Sequence, residues 1–519
     1  MRQLLALCFA VMSLSLPLRS ADPRPEGPSL TIYNQKFAVI RQTVPLDLNA
    51  GVNQVAFSDI TAHAEPDSVV LRDLRGGDIK ILEQNYRNDP VSDGLLLSLF
   101  EGKTIDFQRI DAQGHREIIQ GKIIRSGYVP HYNAYEEYGY QYQAAQQAMT
   151  SGGSGQPVIE VDGKLQFSLP GQPLFPSLGT DTILKPTFDW QLQSDSGGHK
   201  VAELSYVSGG MNWKADYNIV APETSDLMDI VGWVTLDNQS GKTFENARIK
   251  LMAGDVSKIQ DNRNAAGYVF AARAALDVNG TPPVTEKAFD EYHLYTLERS
   301  TTLRDRETKQ VEFLRATGVH ANRLYVYDGF QLDPQYRGWN YENIRENANY
   351  GTKSNPKVWV MLEFKNSKSN NLGMPLPAGR VRFYRHDSDG QMEFTGEDKI
   401  DHTPADETVR FYTGNAFDVV GERRRTYFRT NSQERWVDET FEIKLRNHKT
   451  TPVEVRAVEH LYRWTNWEIS QKSDEFKKND AQTVEFRVPV PANGEKTVTY
   501  MVHYSWSGEN ERDLYSVAR

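Results

Sequence analysis

The chain has 519 residues, enough for three or four domains of ordinary size. Hydrophobic residues make up 39% and charged residues 25%, which excludes wholesale disorder, because cores of normal size can form. A formal net charge of −10 excludes the basic face that nucleic acid or anionic lipid would need as main partner.

Arg2 opens a short positive region, and residues 4–18 form an apolar run broken only by serines and Pro17. Ser20 and Ala21 then offer a small-residue cleavage point before a polar, proline-rich stretch. The layout predicts a secretory signal peptide over residues 1–20, too short to span a bilayer. Its Cys8 is the only cysteine, so a cleaved chain has no disulfide framework and no thiolate metal site. The expected address is outside the cytoplasm, in the periplasm or at the cell surface, with no transmembrane helix.

Beyond the signal segment, the chain is dominated by alternation of apolar and polar residues, the mark of half-buried strands. Residues 28–85 read as an N-terminal β module whose strands carry Ile32, Phe37, Val39, Val55 and Phe57. Residues 86–185 read as a small β unit interrupted at 126–157. The interruption holds Tyr128, Tyr132, Tyr135, Tyr138, Tyr140 and Tyr142, then glutamines and SGGSGQP. It has no core-forming periodicity and reads as a hairpin insertion; Tyr135, Tyr138 and Tyr140 are candidates for an aromatic contact with a glycan or partner. The best helical candidate is the alanine-rich stretch 264–276.

Three stretches share a strand, a polar turn containing Asn and a second strand: WVTLDNQSGKTFENARIKLM, WVMLEFKNSKSNNLGMPLPAGRVRFY and FEIKLRNHKTTPVEVRAVEHL. Likewise, RETKQVEFL at 306–314 echoes GEKTVTYMV at 494–502. Asn bonds its own backbone in turns, which gives the shared feature a physical cause. The predicted fold is mainly β: tandem Ig-like antiparallel β-sandwiches at 186–335 and 350–510, preceded by the small modules.

The densest polar cluster is GEDKIDHTPADE at 396–407. Asp401 and His402 with neighbouring acids are of the type that holds Zn²⁺ or Ca²⁺ or acts as a base, but the spacing matches no ligand motif. Acids beside a turn more often accept unpaired backbone donors, so the expectation is a structural corner and no metal. Asp387-Ser-Asp-Gly390 reads as a hairpin turn. The run Arg423-Arg424-Arg425 reads as a solvated edge strand, the alternative being an anion clamp. Trp464 and Trp467, near His460, read as core, the alternative being a platform for a sugar. No nucleophile elbow or zinc-protease motif is present in the sequence, and no cofactor is implied.

Five blocks in fixed order carry a resemblance: ELSYVSGGMNWKADYNIV, FDEYHLYTLERSTTLRDRETKQVEFL, GEDKIDHTP, GNAFDVVGERRR and RWTNWEIS. Together they resemble the C-terminal domain of unknown function in mucoidy-inhibitor-A-like bacterial proteins, across about residues 185–507. TIYNQKFAVIRQTVPLDLNAGVNQVAFSDI resembles that family's N-terminal strand module. Many members carry a long coiled coil between the two regions, and this chain has no sustained heptads there. The resemblance implies an exported, β-rich bacterial envelope protein with no assigned activity and no catalytic residue to carry over. The expected function is a non-enzymatic scaffold or binding protein for an envelope protein or glycan. The alternatives are an envelope hydrolase around His402, or a glycan-binding module using exposed Tyr and Trp.

Overall fold

Sequence alternation becomes a molecule with 63% of its described residues in strands and 5% in helices, about three times the usual strand share of 20–25%. The computed structural model describes residues 27–506 apart from 78, 89, 111–113, 129–155, 177, 179–181, 223–226, 255 and 259–283. The expected signal segment, the candidates Tyr135, Tyr138 and Tyr140, and the stretch 264–276 lie outside the described residues. Among the described residues, no helix is long and apolar enough to cross a membrane.

The strand Ser29–Tyr33 lies between two others. It pairs antiparallel with Phe37–Leu48 and parallel with Phe244–Ala253, Leu30 standing opposite Ile249. Phe37–Leu48 pairs in turn along its whole length with Gly198–Gly209. Residues expected as a separate N-terminal module are therefore hydrogen-bonded into the first sandwich. Gly51–Phe57 and Ile79–Arg87 likewise flank Thr187–Ser194 in a three-stranded sheet.

A five-stranded sheet completes this body: Glu307–His320, Leu227–Asn238, Met211–Ala221, Gly379–His386 and Met392–Ile400, in that order. It packs on the first sheet through aromatic residues. The indole N–H of Trp213 donates to the Met252 carbonyl at 3.1 Å, and its ring lies 6.2 Å from that of Tyr295. One contiguous core runs from Leu30 to Phe411. Because Gly379–His386 pairs parallel with Met211–Ala221, part of the expected second sandwich belongs to the first core.

The interrupted unit is a five-stranded sheet over a small core of Leu97, Phe100, Ile105, Phe107, Ile123 and Ile159. Ser92 caps its helix Asp93–Leu99, its hydroxyl accepting from the Leu95 N–H. Strands Arg116–Arg125 and Val158–Val161, on either side of the insertion, are paired neighbours.

A nine-stranded sheet forms the C-terminal body and folds over so that its halves face each other. Phe441 and Phe486 both lie within 5.6 Å of the Tyr500 ring. The strand Thr408–Asn431, 24 residues long, serves both bodies. Its first half pairs with Lys357–Lys365 and places Val409 and Phe411 in the first core. Its second half pairs with Trp436–Asn447 and places Val419 in the second. Gly396 lets the neighbouring strand Met392–Ile400 come close, since a Cβ there would sit 2.7 Å from the Thr413 carbonyl oxygen.

The three Asn-containing turns share a buried anchor. Asn238, Asn366 and Asn447 each sit at or just past the end of a strand, at most 1% exposed. The Asn238 amide donates to the carbonyls of Lys242 and Arg304 at 2.9 Å, and its oxygen accepts from the Ser240 N–H. The Asn447 amide donates to Thr451 and Pro491, and its oxygen accepts from the Lys449 N–H. The Asn366 amide holds Met374 and Pro404 in the same way. In the first two cases the anchored carbonyl precedes the strand that the sequence repeat singles out. Removing such an amide leaves several buried carbonyls unpaired, so Asn447→Ala should lower unfolding free energy in urea by roughly 2–3 kcal/mol. A loss below about 0.5 kcal/mol, the size of an ordinary surface change, would show that the turn does not depend on it.

Candidate functional site

Two regions of the C-terminal body concentrate charge, and they differ in kind. The first is closed. Strand alternation turns Arg423 and Arg425 inward and leaves Arg424 outside, where it meets Glu442 at 3.2 Å. The run expected at a solvated edge is therefore a correction: it lies in a central strand, and Arg423 is 4% exposed. The Arg423 Nε lies 2.9 Å from both oxygens of Glu459, which also accepts from the Tyr500 hydroxyl at 2.5 Å. Arg463 grips Glu439 with two bonds of 2.8 and 2.7 Å, and Arg425 joins the same carboxylate at 3.0 Å.

Three inward guanidiniums against two carboxylates leave a surplus positive charge, and backbone carbonyls offset it. Arg463 donates to the carbonyls of Ile344, Arg345, Asn347 and Tyr350, and Arg423 to that of Gly351. Arg425 donates to the Ala348 carbonyl. These oxygens belong to residues 329–356, an arch between two strands. They cluster at the C-terminal end of its short helix Tyr341–Arg345, where partial negative charge gathers. The Arg345 guanidinium, in turn, lies between the rings of Trp464 and Trp506, at 4.7 and 4.9 Å.

Burial is the largest single influence on the Arg423 charge and works against it, but Glu459, Tyr500 and Glu439 together outweigh it and hold the group above its ordinary value. Burial, helped by Glu459, pushes the Tyr500 phenol well up, and burial with Glu439 does the same for Tyr504. Arg423, Arg425 and Arg463 each hold a carboxylate and at least one carbonyl of the arch, and this clamp fixes the arch in place.

Beside it, His460 Nε2 meets Asp328 at 2.9 Å, and the imidazole stacks on Tyr462. The other ring nitrogen of His460 and the other oxygen of Asp328 are buried without a hydrogen-bond partner.

The residues singled out from sequence fall elsewhere. Trp464 and Trp467 are half-buried; Arg345 covers one ring, and Lys478 stands 4.7 Å over the other, whose N–H donates to Ala481. The structure therefore does not join them into an open aromatic platform. His402 Nδ1 accepts from the Ala378 N–H at 3.2 Å, and Asp401 is exposed. Asp398 accepts the N–H groups of Tyr412 and Lys399, the role expected of acids at a corner. Among the described residues, no group of three or more His, Cys, Asp or Glu side chains is arranged to hold a metal ion.

The second charged region is open, and sequence reading missed it. A depression of about 310 Å³ is lined by Arg323, Tyr325, Thr451, Pro452, Glu454 and Arg456. A second, of about 190 Å³, shares Arg323 and adds Arg385, Thr395, Thr413 and Asn415. The Nε of Arg456 is buried and has no hydrogen-bond partner. Neither Arg323 nor Arg456 has an ion-pair partner among the described residues. Alternation in VEVRAVEH puts Arg456 on the outer face, but its neighbour Val326 comes from a parallel strand 130 positions earlier in the chain. No local signal could have joined them.

No family model, curated protein or solved structure matches the chain.

Two outcomes test the clamp. Arg463→Ala removes one partner of a buried pair and should cost roughly 3–5 kcal/mol, with faster proteolysis of the arch. Arg424→Ala removes an exposed one and should cost less than about 1 kcal/mol. Equal losses would mean that the buried pair contributes no more than a surface bridge.

The tyrosines give the pH dependence. Tyr217, Tyr295, Tyr500 and Tyr504 all have phenols raised by burial, so the folded state holds them neutral while the unfolded chain ionises near pH 10. Their contribution is whole below about pH 10 and is lost as pH rises from there towards the raised folded values. Each should steepen the loss by up to about 1.4 kcal/mol per pH unit. In phenolate absorbance these four should ionise only on unfolding; ionisation of every tyrosine near pH 10 with near-UV circular dichroism intact would contradict it.

Proposed function

We propose that this chain is an exported envelope protein that binds or scaffolds an envelope component and performs no chemistry on it. The observation that carries the reading is the open depression at Arg323 and Arg456. In an acidic molecule whose inward charges are closely paired, it is lined by two arginines that have no ion-pair partner among the described residues. The surrounding β framework is held from many sides, as suits a surface that presents groups in fixed positions. The ordered blocks resembling mucoidy-inhibitor-A-like proteins, and the signal-like start, support an envelope address. The hydrolase reading draws little from His402, whose ring nitrogen is engaged by a backbone donor.

The test is retention of envelope material on the purified, immobilised chain. Retention that falls with added salt, and falls again in an Arg323→Gln/Arg456→Gln variant, is expected. Release of soluble fragments from envelope polysaccharide by the chain would overturn the non-enzymatic reading. An exported protein that retains Met1 would overturn the cleaved signal.

A further inference from the structure

We propose that the depression at Arg323 and Arg456 is a binding site for a small oxyanion carried on a hydroxylated body, a sugar acid or sugar phosphate of about one-ring size. The inference rests on the binding reading above and names the chemistry that its site selects.

Three observations carry it, together with the shape of the guanidinium. The Nε–H of Arg456 has no partner in the fold, so no carboxylate or carbonyl holds that guanidinium in competition with an arriving oxyanion. Arg456 also stands directly opposite Arg487 across the strand pair, an arrangement of like charges that is unfavourable until an anion enters. Glu485 lies 3.5 Å from Arg487 and tempers that charge, while Arg323 and Arg456 have no carboxylate within ion-pair distance among the described residues. Planar guanidiniums match the two-oxygen geometry of carboxylate and phosphate.

The rest of the lining sets the body of the ligand. Glu454 is an acceptor for hydroxyl groups, and Thr451 can both donate and accept. Pro452 offers apolar surface against which a ring can lie, and Lys449, 5.9 Å over the buried Tyr325 ring, adds positive charge. A volume of about 310 Å³ lies at the lower end of small-molecule sites, which run from about 300 to 1,000 Å³. A bare inorganic anion would leave most of that space and Glu454 unused. A neutral sugar would leave the two arginines unmatched.

The experiment is a titration of the full chain, by calorimetry and by NMR of the ligand, with glucuronate, glucose 6-phosphate and glucose. Saturable binding of one or both acids is expected, weakened by salt and absent for glucose. Arg323→Gln and Arg456→Gln should each weaken it by about tenfold or more. Arg424→Gln, which removes an exposed guanidinium already paired with Glu442, should leave it unchanged. The stronger of the two acids tells whether the site selects carboxylate or phosphate. Arg323 is exposed, so its variant tests the site even where Arg456→Gln perturbs folding. The proposal is overturned by glucose binding as well as the acids, by no saturation with either acid, or by binding indifferent to both arginines. If envelope material is still retained while both acids fail, the binding reading survives and this ligand class does not.

Discussion

The strand Thr408–Asn431 is the constraint on which the rest depends. It is one continuous backbone that enters two hydrophobic cores, with Phe411 in the first and Val419 in the second. Its direction is set where Gly414 adopts φ 146 and the pairing with Lys357–Lys365 slips register, so the two halves are aimed at different layers. Everything charged in the C-terminal body inherits that aim. The second half delivers Arg423 and Arg425 to the interior, and the carboxylates of Glu439 and Glu459 arrive from neighbouring elements of the same body. With a single cysteine the chain can form no internal disulfide, and this shared strand does the joining that one would otherwise do.

The buried charges then determine what the arch can be. Residues 329–356 have a small apolar core of their own, Tyr336, Ile344 and Tyr350, too little to hold so long a connection. Carbonyl oxygens at the end of a short helix are poor at finding partners in an interior. Here they accept from guanidiniums that Glu439 and Glu459 have already oriented. The arrangement is mutual: without the arch the arginine donors would lack acceptors, and without the arginines the arch would bury unpaired carbonyls.

Class and period were legible in the sequence; long-range pairing was not. Alternation at Phe441, Ile443 and Leu445 gave inward residues that are buried, and Asp387-Ser-Asp-Gly390 turns a hairpin in which the Gly390 N–H donates to the Asp387 carbonyl. The repeat was readable because a fixed Asn recurs beside each turn, and the structure supplies its reason in Asn238, Asn366 and Asn447. The parallel pairing of Ser29–Tyr33 with Phe244–Ala253 leaves no local trace, since a short apolar strand reads alike whether it pairs near or far. The misreading of Arg423 has a different cause. Period two requires Arg423 and Arg425 to share a face, and that face follows from Val419 and Gly421; composition suggested an exposed run where alternation did not. The open depression escaped because its arginines meet only through the order of strands in a nine-stranded sheet.

The two charged regions differ in what they leave over for a ligand. Inside the clamp, Arg423, Arg425 and Arg463 each have a carboxylate and at least one carbonyl, so their charge is already matched within the fold. On the outer face, Arg456 lies on the same strand Val453–His460 as Glu459, three residues away and with opposite orientation. One strand thus carries both a satisfied carboxylate inward and an unsatisfied guanidinium outward. Opposite Arg487 and beside a hollow of about 310 Å³, Arg456 is where a ligand from solution would supply the partner that the fold does not.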